Sequence, residues 1–526
     1  MRSIGFYLLV AALCLATVGA LFYGAGRLDV ALVPAFLVLA IYAMVKLPLR
    51  YPVFAMTFLA LTLENPGDVP GAGIWKSPIY DYGAIFLGHM NLTIPIKALA
   101  FSGLDVMLVI LFAIAFYRWL TRSQIDGDRP PTASPIGLFA GLTLAGAAWM
   151  WLWGMTQADA DFGSSLWQVQ RVFYLPILFF LFRISLRGPV DADALGGIVL
   201  VAACIKAGLA IYLRQILPPP PNEPTLPYAT THADSMLFAT ALTTVLLMLI
   251  LRHAKRRLFL IAIVIPLLVA GMVSNNRRIV WVEVIASLLT VWAILPWTKA
   301  KRTIARYALF ASPAAIAYLL VGWSVQTGIF KPVQVLRSVV DSKADASTSW
   351  RDWENYNLFY TVKTAPIFGT GYGHGYIEIV HLPDISGSYS LYRHIPHNSI
   401  LGLWAYGGYI GFTLLWLMLP VGAFVAARAQ LRAKNPREHV IALGAIATVV
   451  AYLVHCYGDM GLGTLTSLFT VAPALALAEK LAATSGAFST SRRPTRVAAT
   501  EPSTALAVVG AGGAGPRDIA AWRSAP

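Results

Sequence analysis

Apolar runs interrupted by charges, proline and glycine recur along almost the whole chain. A bilayer core of roughly 30 Å needs about 20 apolar residues in one helix. By that measure the runs predict membrane spans near residues 4–23, 28–45, 51–63, 101–117, 136–155, 172–187 and 194–213. Seven more are predicted near 233–251, 258–273, 279–296, 307–323, 399–424, 440–457 and 464–480. The first run follows Arg2 as a signal peptide would, but it continues past Gly19 and Ala20 without a polar mature segment, so it reads as a retained helix. The fold predicted is all-α: a polytopic integral membrane protein of about 12–14 transmembrane helices, with a long extracytoplasmic loop containing short helices. No internal repeat is visible.

Composition strengthens this reading and excludes others. Of 526 residues, 57% are hydrophobic and 12% are charged, about half the usual charged share, which rules out a soluble enzyme. Cys14, Cys204 and Cys456 stand singly in apolar stretches, so neither a disulfide framework nor a CxxC pair is present. The net charge of +15 would suit nucleic acid, but in a membrane chain it is first a matter of orientation. With the N-terminus inside, seven short cytoplasmic segments hold twenty basic residues, in groups such as Lys46 and Arg50, 252–257, 299–306 and 428–437. The outer segments hold thirteen, six of them in the stretch 324–398. Orientation therefore explains most of the charge, and no nucleic-acid partner is expected.

The organisation expected is N-terminal transmembrane helices over 1–229, a second transmembrane region over 230–480 that includes the outer loop 324–398, and a disordered cytoplasmic tail over 481–526. The tail is rich in Ser, Thr, Ala, Gly, Pro and Arg and cannot bury a core. Three outer segments are long: 64–100, 218–232 and 324–398. The last holds four of the nine histidines, His374, His381, His394 and His397, and is too long for a mere connector.

Four motifs carry chemistry. The first, SNNRR at 274–278, places Arg277 and Arg278 at the outer N-terminus of a helix, with Ser or Asn as its cap. Free N–H groups, the helix dipole and guanidinium forks there suit phosphate oxygens. Snorkelling arginines are the alternative, although a basic pair outside runs against the positive-inside rule. The second motif, residues 350–360, has Trp350, Trp353, Asn357 and Tyr360 at roughly helical spacing, as in an amphipathic interfacial helix. Its Arg351 either hovers over lipid headgroups or pairs with Asp352 or Glu354. The third, residues 366–376, alternates glycines and reads as a structural turn rather than a nucleotide loop. The fourth, residues 393–400, puts His397 at the mouth of the helix beginning near Ser399, where an imidazole suits general-base work or a plain polar cap. His394 and His397 lack a third ligand at a convincing spacing, so no metal is expected, and no cofactor. Lys206 and Glu283 lie within spans and Asp459 near a span end, which makes them functional candidates.

The order of these motifs resembles the O-antigen ligase and polymerase family of bacterial membrane glycosyltransferases. The resemblance rests on 274–278; on Arg351, Trp353, Pro366, Gly369 and Gly371; and on His397 and Asn398 followed by Gly408 and Gly411, and it covers roughly residues 230–460. This chain departs from the family in its early spans, and in having Ala405 and Tyr406 where many members carry an acidic residue. The resemblance implies a metal-independent glycosyltransferase of the bacterial inner membrane, active at the periplasmic face. The implied donor is an undecaprenyl-diphosphate-linked oligosaccharide, the acceptor a glycan hydroxyl, and the surroundings membrane lipids and a polysaccharide assembly complex. It further implies diphosphate binding by Arg277 or Arg278 together with Arg351, and a histidine role for His397. Polymerisation of O-antigen or exopolysaccharide is the leading expectation, and ligation onto a lipid A core or a protein is the alternative. From other classes, a transporter of anionic substrates and an envelope scaffold are the rivals.

Overall fold

A computed structural model gives the fold over residues 2–488, apart from 24–27, 65–76, 89–100, 124, 127–134, 218–227, 254–255, 298, 326, 341–345 and 387–390. Much of the outer segments 64–100 and 218–232, and the tail from 489, thus lie outside the described residues. Among those described there is no strand. The helices are α1 (Arg2–Tyr23), α2 (Leu28–Lys46), α3 (Arg50–Thr62), α4 (Tyr80–Phe86), α5 (Gly103–Leu120), α6 (Ile136–Met155), α7 (Phe162–Ser185), α8 (Ala192–Ile211) and α9 (Ala233–Ile250). Next, α10 (Arg257–Phe259), a π-turn over Leu260–Val264 and α11 (Ile265–Asn275) run as one span. After them come α12 (Ile279–Ile294), α13 (Lys299–Ser324), α14 (Lys331–Val340), α15 (Ala346–Thr364), α16 (Ser399–Trp416), α17 (Met418–Arg432), α18 (Pro436–Gly458) and α19 (Leu465–Thr484). Among the described residues ten stretches are long and apolar enough to cross a bilayer, with shorter apolar helices at Val10–Phe22, Pro34–Lys46 and Ile279–Ile294. The protein is an all-α, multi-pass membrane protein.

Local chemistry sets several of the helix starts. Ser102 and Asp105 form a reciprocal capping box at α5, Asp161 accepts the amides of Gly163 and Ser164 at α7, and Asn435 with Pro436 opens α18. The core lies around α9, α18 and α19, where small residues let backbones approach closely. At the crossing of α8 and α11, a Cβ on Gly271 would come within 2.4 Å of the Ala207 Cβ. By contrast α13 packs on α14 and the turn Gly328–Phe330, and its apolar length faces outward as a lipid-exposed helix does.

Two expectations change in detail. The span expected near 399–424 runs from Ser399 to Arg432, as α16 followed at once by α17, and α16 is itself broken at Gly408, whose φ of 55° and ψ of −160° leave the helical region. The aromatic segment 350–360 belongs to a 19-residue helix, α15, longer than the short helices expected in that loop.

The basic segments predicted on one side do gather at one end of the bundle. Arg118 pairs with Asp126 at 2.8 Å and donates to the carbonyls of Met44, Val45 and Leu47 at the close of α2. Arg50 pairs with Asp191, Arg183 with Glu479, and Arg437 with Asp193. Lys301 Nζ caps the end of α12 through the carbonyls of Trp292 and Leu295. Cations at helix C-termini satisfy free carbonyls and oppose the negative end of the dipole. The other end carries every motif singled out above.

Candidate functional site

The SNNRR segment divides its labour between two helices. Asn276, left-handed at φ 56°, closes α11, a conformation Asn tolerates, so the expected Ser or Asn is a C-cap of α11 and not the N-cap of α12. The N-cap position of α12 is Arg278, which makes no side-chain cap. The two arginines then part. Arg278 donates to the Ser338 carbonyl of α14 at 3.3 Å. Arg277 is only 8% exposed, its guanidinium carbon 3.0 Å from the centre of the Tyr228 ring, and its Nε and Nη2 have no hydrogen-bond partner. Burial pushes its pKa down to about 10, against the pull of Tyr228 and Asp459, so it is a cation at neutral pH.

Helix α15 brings in the second arginine. Its inner face buries Glu354, Asn357, Leu358 and Thr361, while Trp353, Tyr356, Phe359 and Tyr360 face out. Arg351 is half-buried. Its charge acts on Asp459, and also on Arg277 and His232, so it lies within electrostatic reach of the first arginine. The alternative pairing with Glu354 is not what the carboxylate does. Glu354 accepts the His397 backbone amide at 3.2 and 3.3 Å, and one of its oxygens is 3.3 Å from Nδ1 of the His397 ring. The Trp350 ring meets that imidazole edge-on at 5.1 Å between centres. With Nδ1 held by the carboxylate, Nε2 is the ring nitrogen turned to other partners. Asn398 caps α16 by accepting the Leu401 amide, and donates to Asn355 of α15.

Residues from three further elements close the site, and of these Asp459 was a sequence candidate while His232 and Tyr228 were not. Asp459, buried at the end of α18, is held by Nδ1 of His232 at the start of α9. Burial would raise its pKa, but His232 and Arg351 hold it well below the usual carboxylate range. His232 is pushed down by burial against the opposing pull of Asp459. One turn deeper, His455 meets the second candidate carboxylate, Glu283, at 2.8 Å, both fully buried. Ser399 Oγ donates to the Asp459 carbonyl at 3.3 Å, which joins the His397 strap to this turn. Lys206, the third candidate, lies apart between Asp234 at 3.6 Å and Glu64 at 3.9 Å.

The alternating glycines thread between α6 and the break in α16. Gly369, Gly371 and Gly373 all have positive φ, and the amides of Thr370 and Gly371 take the carbonyls of Ala405 and Tyr406. Gln168 of α7 clamps the same segment through the Gly373 amide and the carbonyls of His374 and His394. Beside it is a pocket of about 40 Å³ lined by Arg171, Tyr372, His394 and Ser399 among others. Arg171 Nε, Tyr372 Oη and His394 Nδ1 are buried there without hydrogen-bond partners. Buried polar groups ordinarily find partners, so this pocket suits a small polar group. Burial also pushes the His394 pKa down, against Asp161. Among the described residues no group of three or more His, Cys, Asp or Glu side chains could hold a metal ion.

The site thus holds a buried guanidinium with two open donor positions, a second arginine close enough for their charges to interact, and a histidine held by a carboxylate. Residues 266–416, which include Arg277, Arg351 and His397, match the family model described as O-Antigen ligase, and this supports membership of the O-antigen ligase family. The match supports, at family level, a membrane glycosyltransferase of the O-antigen ligase/polymerase type, a family whose substrates are in general lipid-linked glycans. His232 and Asp459 lie outside the matched stretch. No curated protein matches the chain.

Proposed function

We propose that the protein polymerises lipid-linked repeat units of an O-antigen or exopolysaccharide, transferring glycan from undecaprenyl diphosphate to a sugar hydroxyl at the periplasmic face of the inner membrane, without a metal. The observation that carries this reading is Arg277, buried, charged and without a hydrogen-bond partner on Nε and Nη2. A buried cation with open donor positions is completed best by an anion. Arg351 adds a second positive charge, and the Asp459 carboxylate, engaged by His232, does not form an ion pair with either. A diphosphate is the anion a membrane-borne donor would bring.

In the reaction, the bond from the anomeric carbon to the phosphate oxygen breaks as the acceptor oxygen bonds to that carbon. The electron pair leaves on the diphosphate, where Arg277 and Arg351 stabilise the growing charge more than they stabilise the ground state. The acceptor proton passes to Nε2 of His397, and Glu354 at Nδ1 fixes the tautomer and stabilises the imidazolium. The pocket beside Ser399 receives a polar substituent of the acceptor sugar. The lipid carrier approaches laterally, which accounts for a site at helix mouths under an aromatic-rich α15.

Purified protein in nanodiscs, supplied with lipid-linked repeat units, is expected to lengthen them, and His397→Ala to abolish lengthening. Transfer at the normal rate by that variant would refute the assignment, and transport of an anionic substrate with no glycan product would favour the transporter class. A strain lacking the protein is expected to accumulate single lipid-linked repeats. Accumulation of full-length lipid-linked polymer would instead identify a ligase acting on a lipid A core or a protein.

A further inference from the structure

At the basic end, away from the reaction site, α8, α9, α18 and α19 leave a slot of about 480 Å³ between them. Its walls are apolar and include Gly196 and Gly197 of α8 and Gly444 of α18, where an added Cβ would meet no atom within 4 Å. The slot follows α18 from Arg437 to Thr448, a rise of about 16 Å at ~1.5 Å per residue, or roughly half the hydrocarbon thickness. Two of its hydroxyls are turned back on their own helices, Thr448 to the Gly444 carbonyl and Thr470 to that of Thr466, while that of Thr240 has no partner. A sugar or peptide would find few partners there, whereas a hydrocarbon chain would.

The mouth is different. Arg256, His253 and Arg437 stand there with a single carboxylate, Asp193. Asp193 is 3.0 Å from one terminal nitrogen of Arg437 and 3.7 Å from His253. Arg437 Nε is buried without a partner. Two guanidinium groups against one carboxylate leave a net positive charge at the level where phosphates of the adjoining leaflet lie.

We propose that this slot binds one anionic glycerophospholipid, its phosphate at Arg437 and Arg256 and one acyl chain running between α8, α9, α18 and α19. The chain leaves one hydrocarbon medium for another, so burial alone gives little preference; the headgroup charge selects the lipid. The lipid then acts as a removable piece of the bundle core at the end opposite the reaction site.

Native mass spectrometry of the full-length protein, incubated with phosphatidylglycerol or phosphatidylcholine of equal chain length, tests this. One phosphatidylglycerol is expected to be retained, with roughly a fivefold preference, the effect of about one basic contact at a membrane surface. Gly444→Leu places a side chain in open space and is expected to abolish retention with the fold intact. Should that variant misfold, Gly197→Leu tests the same slot from α8. The double change Arg256→Gln with Arg437→Gln is expected to equalise the two lipids. Equal retention of both by the unaltered protein, undiminished retention in the plugged variants, or slot-dependent capture of undecaprenyl phosphate in preference to phosphatidylglycerol would each overturn the proposal. Binding is the readout, so the outcome stands apart from any assay of glycan transfer.

Discussion

Both ends of the bundle are rich in arginine, and they use it in opposite ways. At the basic end Arg118, Arg50 and Arg183 each meet a carboxylate, and Arg118 also takes three carbonyls from the close of α2. At the site end Arg277 is as well buried as many core residues, yet two of its nitrogens have no partner. The carboxylate nearest in charge, Asp459, is engaged by His232. A paired arginine holds helices together, whereas an unpaired one stores affinity for an anion that arrives from outside. The same side chain is completed by a carboxylate at Arg118, Arg50 and Arg183 and by none at Arg277.

Substitutions can break this contrast. The largest effect is expected from Arg118→Gln, which removes the partner of Asp126 and of three carbonyls and should lower stability by about 3–5 kcal/mol, read as a fall in Tm in detergent. Molecules that stay folded should transfer glycan normally; if they do not, the two ends are not separable. Arg277→Gln is expected to lower kcat/KM for the lipid-linked donor by about 10²–10³-fold, or ~2.7–4 kcal/mol, with Tm unchanged or raised because an uncompensated buried cation is gone. A Tm lowered by several degrees would make Arg277 a structural residue. Glu354→Gln should reduce kcat by about 10–100-fold, the loss of a hydrogen bond to a charged group, while the donor KM stays the same; an altered donor KM would point to α15 having moved. The smallest effect is expected for Arg393→Gln, since its pair with Glu378 is half exposed. A change of ~0.2–1 kcal/mol in stability and none in turnover would fit such a surface pair.

Much of this was legible in the sequence because it is local. Among the described residues apolar run length locates ten of the fourteen expected spans, charge alternation separates the two ends, and the arginines stand out because they lie where the rule expects few. The pairings that build the site are not local. Glu354 finds His397 across 43 positions, and His232 finds Asp459 from helices α9 and α18, far apart in the chain. Nothing near Glu354 distinguishes it from a solvated acidic residue on an amphipathic helix. Neither could the sequence choose between Arg277 and Arg278: that choice depends on Asn276 adopting a left-handed turn, which sends one arginine inward and the other to α14. The break at Gly408 was hidden for a similar reason, since glycine within a membrane helix is common and only the approach of another segment shows why it is needed.

That break has a consequence for how the protein can change over time. A Cβ on Gly408 would lie 2.4 Å from the Gly369 nitrogen, and one on Gly369 would lie 2.2 Å from the Tyr406 carbonyl oxygen. Each glycine is closed in by the other's backbone, so no adjustment of neighbouring side chains can make room for a replacement at either. The segment 366–376 and the helix that opens with Ser399 are therefore expected to be inherited as one piece. Diversity in the glycans handled would have to arise from surfaces around this joint, such as the outward aromatic face of α15, while the joint itself stays fixed.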